Sequence, residues 1–217
     1  MTIQEIVNFL LLFIVLGVGV VRYKKLTIPF KILVFSVVAT VLFDSLSKFS
    51  SRWYKTNALV LHLECLVLYV FYSSVYYYLF QSKTIKKIIF ISTIVIIVFA
   101  FFNALFLQPF SKVFPSYLYI ITNTMMVIFS LLLFKQMLLY PIKMNITSQS
   151  VFWYNTSMLF FSTTMFLNLG IINYYAKLKL GDEVIYYFWY GNYYILNILT
   201  GVALLIDNKK KATAYAQ

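Results

Sequence analysis

The segment NALVLHLECLVLYVFYSSVYYYLF, Asn57 to Phe80, decides the fold. It is long enough to cross a bilayer, whose core takes roughly 20 helical residues. It is apolar nearly throughout, yet near its start it carries His62 and Glu64, with Cys65 beside them. His62 is the single histidine of the chain and Cys65 its single cysteine. An imidazole and a carboxylate are costly in such a setting, so they need a reason to be there.

The rest of the chain has the same character. Hydrophobic residues make up 62% of it and charged residues 11%, against about a quarter charged in a soluble domain. So few polar side chains cannot cover the surface of a water-soluble fold, and lipid is the expected solvent. Apolar runs fall at Ile3–Val21, Pro29–Ser47, Ala58–Phe80, Ile85–Leu107, Ser116–Tyr140, Val151–Tyr175 and Val184–Ile206. Each is expected to be a helix, because an open strand leaves peptide groups unpaired in lipid. The fold class expected is all-α, a seven-transmembrane-helix bundle forming one integral membrane domain over residues 1–217. Its short connectors leave no room within these residues for a soluble catalytic or nucleotide-binding domain. The opening MTIQEIVNFL has an acidic residue and no basic one before the apolar run, so a retained first helix is expected in place of a cleaved signal.

The net charge of +12 resembles a nucleic-acid signal until it is mapped. Arg22, Lys24, Lys25, Lys31, Lys83, Lys86, Lys87, Lys135, Lys143, Lys209, Lys210 and Lys211 fall on one side of the expected bundle. Lys48, Arg52, Lys55, Lys112, Lys177 and Lys179 fall on the other. The positive-inside bias then places the N-terminus outside and the C-terminus in the cytoplasm. Attraction to anionic lipid is secondary, and nucleic acid is not needed as a partner. Many tyrosines sit at helix ends, as an interfacial belt requires. The glycosylation pattern at Asn145 would face the cytoplasm and is discounted. One cysteine permits no internal disulfide, and zinc patterns with several Cys or His cannot be assembled.

Helical periodicity sorts the polar residues into stripes. His62, Tyr69, Ser73 and Tyr76 share one face of the third helix. Glu64 lies about 200° round from His62 and on the face of Asn57, so the pair is not a ready-made dyad. Ser36, Thr40 and Asp44 line up on the second helix. Tyr119, Asn123 and Ser130 do so on the fifth, Ser157, Thr164 and Asn168 on the sixth, and Tyr186, Tyr190, Tyr193, Asn197 and Thr200 on the seventh. With the N-terminus outside, most of these lie in the outer half of the membrane, which points to a cavity open to the outside. The candidate ligand- or proton-binding residues are Glu64, His62, Asp44, Asn57, Tyr69, Asn123, Asn168, Tyr186, Tyr190, Tyr193 and Asn197. No catalytic, metal-binding or cofactor-binding set is expected.

Each also has a plainer reading. Lys48 is one turn from Asp44 and can pair with it, and His62 and the Asn, Ser and Thr residues can serve as interhelical packing contacts. Glu64 has no basic residue within a turn on its own helix, so its partner must be another helix, a tyrosine hydroxyl or a proton.

The pattern Asn57-x4-His62-x-Glu64-x4-Tyr69, with Phe152, Trp153 and Ser162 opening the sixth helix and the aromatic-Asn character of the seventh, resembles small seven-helix membrane proteins of the Bacteroidota. Similar regions accompany histidine-kinase signalling proteins, so the resemblance implies a sensory role with output through a partner. Three functions compete. The first is a receptor-like sensor of a small ligand or proton. The second is a proton-coupled carrier of three-plus-one-plus-three helix type, like the SWEET sugar carriers, with Glu64 or Asp44 protonatable. That arrangement pairs Tyr186, Tyr193, Asn197 and Thr200 with His62, Tyr69, Ser73 and Tyr76. The third, an enzyme using a Cys65–His62 thiolate–imidazole pair, is disfavoured because a cysteine in apolar surroundings is usually inert.

Overall fold

Thr2 begins the helical part of the chain with a reciprocal cap. Its hydroxyl accepts from the Glu5 amide while the Glu5 carboxylate accepts from the Thr2 amide, which satisfies two of the first turn's orphan donors. The computed structural model describes residues 2–110, 113–140, 145–178 and 183–209, with the side chains of 171–186 outside that description. The architecture is all-α. Seven helices run in the order α1 (Ile3–Arg22), α2 (Ile28–Tyr54), α3 (Ala58–Leu79), α4 (Lys83–Phe102), α5 (Ser116–Leu139), α6 (Ser150–Leu178) and α7 (Glu183–Ile206).

Five of them, α1 to α5, are long and apolar enough to cross a membrane, α4 together with the π-helical turn Asn103–Leu107 that continues it. This makes the chain an integral membrane protein. Among the described residues α6 carries Asn155, Ser157, Ser162, Thr164 and Asn168, which lower its apolar character relative to α1 and α4. Large apolar side chains such as Phe13, Leu42, Val98 and Phe101 stand exposed, as lipid-facing residues do.

Helix ends depart from the apolar runs in two instructive places. Helix α2 continues well past Ser47, because a helix stops where its backbone is turned and not where its hydropathy falls. Lys55 supplies that turn with φ 55°, a left-handed residue closing the helix. Phe49 and Trp53, four residues apart, pack ring against ring at 5.7 Å along the extra turns. The fourth apolar run, in contrast, is α-helical only to Phe102, after which the ladder widens.

The chain forms two compact units. Residues 32–122 make one of them, and residues up to Lys31 together with those from Asn123 onward make the other, so α2 and α5 each run from one unit into the other. In the first unit α3 packs on α4, with Val75, Tyr76, Phe80, Ile89, Ile96 and Ala100 in the interior. In the second, α7 packs against both α6 and α1. Helices α1 and α7 run in the same direction: Gln4 meets Tyr194, Asn8 meets Asn197, and Arg22 meets Leu204.

Gly201 allows α1 and α7 this approach, since a Cβ there would lie 3.4 Å from Val15 Cγ2. Small residues let transmembrane helices close up. Gly201→Ala is therefore expected to be nearly neutral, whereas Gly201→Leu is expected to cost about 1–3 kcal/mol by overpacking. Denaturation of both variants in detergent micelles, followed by circular dichroism, checks the contrast; equal midpoints would refute it.

Candidate functional site

Helix α3 and its partners hold the residues that opened the sequence question. Glu64 is 3% exposed and makes no hydrogen bond or ion pair among the described residues. Its electrostatic neighbour on α2 is Asp44, a second carboxyl, so like charge faces like across the two helices. The Tyr72 hydroxyl is in electrostatic range of both and within hydrogen-bonding reach of Ser36 and Thr40. The Ser36 hydroxyl already donates to the Leu33 carbonyl at 2.7 Å and that of Thr40 to the Ser36 carbonyl at 3.0 Å. Each hydroxyl has one proton, so the Ser36 and Thr40 oxygens face Tyr72 as acceptors, and its single proton can go to one of them at a time. Asp44, Thr40 and Ser36 on α2, with Glu64 and Tyr72 on α3, form a polar column. Among the described residues no further carboxylate, thiol or imidazole completes a metal-ligand group there.

His62 faces elsewhere. Its Nε2 lies 3.2 Å from the Val113 carbonyl of the α4–α5 connector, and since a carbonyl only accepts, Nε2 carries the proton. The buried Nδ1 has no partner. The Cys65 thiol meets Thr122 Oγ1 at 3.5 Å, and because that hydroxyl donates to the Leu118 or Tyr119 carbonyl, the thiol is the donor. His62 and Cys65 thus bond to different partners, and no thiol–imidazole hydrogen bond forms. Asn57, expected on Glu64's face, donates instead to Ser47 Oγ at 2.8 Å and ties the α2–α3 turn back onto α2. Tyr69 is buried facing Ser92 and Thr93 of α4, and among the described residues its hydroxyl comes within hydrogen-bond geometry of no partner.

The other candidates belong to the second unit. Asn197 Nδ2 donates to Asn8 Oδ1 at 3.2 Å, joining α7 to α1. Tyr193 packs on Phe161 and Trp189, and Tyr190 on Tyr194. Asn123 and Asn168 are buried, the latter with its Nδ2 unpartnered among the described residues. Tyr186 lies outside the described side chains. Asn192, passed over in the sequence, joins α6 to α7 by accepting from Thr164 at 2.6 Å and donating to the Phe161 carbonyl at 3.1 Å. Of the eleven candidates, the structure brings only Asp44 and Glu64 to a common centre, and it adds Tyr72, which fell on none of the sequence stripes.

Two further polar clusters were not legible locally. At the end of α4, Gln108 Oε1 accepts from Asn103 Nδ2 at 3.3 Å and from the Tyr117 amide at 3.1 Å, while its Nε2 donates to Ser116 Oγ at 2.7 Å. One side chain thus closes the π turn and caps the start of α5. Replacing Gln108 by Ala is expected to cost about 2 kcal/mol by leaving a buried donor unmet, and to speed hydrogen exchange at the Tyr117 amide. Unchanged exchange there would sink this assignment.

At the end of α7, Asp207 accepts from the Thr27 amide at 2.7 Å, from the Thr27 hydroxyl at 3.1 Å and from Ser150 Oγ at 3.1 Å. Arg22 donates to the carbonyls of Leu204 and Asp207, closing the helix C-terminus with a cation. Burial raises the Asp207 carboxyl above its ordinary value, against the opposing pull of these donors and of Arg22. The available signal was an acidic residue at a helix C-terminus, where the helix dipole disfavours it unless donors and a cation gather round.

No protein-family model, curated protein or solved structure matches this chain.

Proposed function

We propose that the protein is a receptor-like membrane sensor whose input is a proton, or a small ligand that replaces it, at the Glu64–Asp44 pair. The observation that carries this reading is Glu64 itself: buried, without hydrogen bond or counter-charge among the described residues, and in the field of a second carboxyl. A buried carboxyl in such a place holds a proton or takes up a cationic group, and either event changes the electrostatic force between α3 and Asp44 on α2. The titratable groups facing Glu64 are Asp44 and Tyr72, with Cys65 adjacent on its own helix. In this reading the chain crosses a bacterial inner membrane seven times with its N-terminus outside, Glu64 lies about two turns below the outer surface, and a cytoplasmic or membrane partner receives the signal. The resemblance to sensor-associated proteins of the Bacteroidota belongs to the same proposal.

A proton-coupled carrier is the second reading, and the observation favouring it is the non-α turn at Asn103–Leu107, since carriers use interrupted helices. Against it, α7 runs unbroken through Gly191 and Gly201.

The test uses the full chain in nanodiscs. Hydrogen exchange along α2 and α3 is expected to change with pH in wild type and to be flat in Glu64→Gln. Identical pH responses in both proteins would refute the sensor site. Proton-driven uptake into liposomes that Glu64→Gln abolishes would transfer the site to the carrier reading. Labelling of a cysteine placed at Lys209 in a Cys65→Ser background decides the orientation.

A further inference from the structure

The α3–α4 turn lies far along α3 from the carboxyl pair and plays no part in it. A surface cavity of about 360 Å³ opens there, lined by Tyr77, Lys83, Lys86, Lys87 and Phe90. We infer that this cavity binds the phosphate headgroup of an anionic lipid, with the acyl chain lying along α4.

The charge balance comes first. Three ammonium groups converge on one cavity, at positions i, i+3 and i+4 of the first two turns of α4, where like charges repel. The first turn of α4 contains no acidic residue. All six acidic residues of the chain lie at or before Glu64 or at or after Asp182, so none falls in the residues between. Within the unit formed by residues 32–122 the carboxyls are Asp44 and Glu64. Glu64 sits thirteen residues up α3 from Tyr77, or roughly 20 Å along the axis, which is about two Debye lengths at physiological salt. Within the described residues of this unit, three lysines therefore come together with no carboxyl near them.

The walls distinguish the source of that anion. Lys86 already rests over the Tyr77 ring, its Nζ 5.5 Å from the centroid, which fixes one ammonium at the cavity wall. Phe90, one turn below Lys86, is 61% exposed, and Ile94, Val98 and Phe101 continue the same exposed apolar face down α4. A free phosphate would use the lysines and leave this strip idle. A phospholipid uses both, its phosphate among the ammonium groups and its chain against the strip. Basic pockets beside transmembrane helices bind lipid headgroups by this combination.

Native mass spectrometry of the full chain, released from nanodiscs of phosphatidylcholine with or without phosphatidylglycerol, tests the inference. Wild type is expected to retain phosphatidylglycerol in preference to phosphatidylcholine. Lys83→Gln and Lys87→Gln, both exposed and each checked for intact helix content by circular dichroism, are expected to weaken retention about fivefold each. Lys24→Gln and Lys25→Gln, equally basic but outside the cavity, are expected to leave it unchanged. Equal losses from both sets of lysines, or no preference for phosphatidylglycerol, would overturn the inference. Displacement of the lipid by millimolar inorganic phosphate would reassign the cavity to a soluble phosphate.

Discussion

Asp207→Ala is expected to cost about 3 kcal/mol, among the largest losses available from a single polar side chain in this protein. The substitution leaves the half-buried Thr27 amide and Ser150 hydroxyl without their acceptor, and an unmet buried donor costs about 1–3 kcal/mol. It also leaves Arg22 beside the end of α7 without the carboxylate that faces it. Reversible denaturation in mixed micelles measures the loss; a change below about 1 kcal/mol would show the cluster to be ornamental.

Asp207→Asn isolates the charge. Burial raises the folded-state value of this carboxyl above the ordinary one, so the native state holds the proton more tightly than the unfolded chain. Its contribution to stability is then fully present below the unfolded value and is lost as pH rises through the folded value. The wild-type-minus-Asn difference in stability is therefore expected to decline with rising pH over the range just above the ordinary aspartate value. Taking the difference cancels the titration of Asp44 and Glu64, which both proteins share. A difference that rose with pH would mean that the donors, and not burial, control the group.

Glu64→Gln is the second large effect, and its sign is opposite. Removing a buried group that can ionise and that faces Asp44 is expected to stabilise the protein at neutral pH by about 2 kcal/mol, because an uncompensated charge is what makes such sites costly. Asp44→Asn removes the same repulsion from the other side, so the two substitutions together are expected to give less than the sum of their separate gains. Residues in contact commonly couple by about 0.5–3 kcal/mol, and a double-mutant cycle reads that coupling directly. Strict additivity would mean that Asp44 and Glu64 do not sense one another, and the sensor proposal would lose its basis. Tyr72→Phe, which removes the hydroxyl within reach of Ser36 and Thr40, is expected to change the pH response without abolishing it.

The sequence was read well where one helix's own periodicity carries the information. Each of the seven apolar runs falls on one of the seven helices, and Ser36, Thr40 and Asp44 all face Tyr72 from α2. It was read less well where a helix ends by turn geometry, as at Lys55, or where its ladder widens, as at Asn103. The candidate list was the least legible part. Glu64 was singled out for lacking a basic partner on its own helix, and among the described residues it has no hydrogen bond or ion pair across helices either. Asn57 and Asn197 carried the same kind of signal and turn out to be bonded to Ser47 and Asn8. An asparagine in a helix reads identically whether a distant helix satisfies it or not.

Composition and periodicity alone determined that lipid surrounds this chain, that it is helical, and which residues share a face of each helix. These properties follow from the cost of unpaired peptide groups in hydrocarbon and from the 3.6-residue turn, both local to the segment concerned. Tertiary structure decided which polar groups cancel one another. Asp207 finds Thr27, Ser150 and Arg22, Gln108 closes two helix ends at once, and Glu64 meets another carboxyl. Such pairings join residues up to 190 positions apart, and helix packing, which sequence spacing does not encode, is what brings them together.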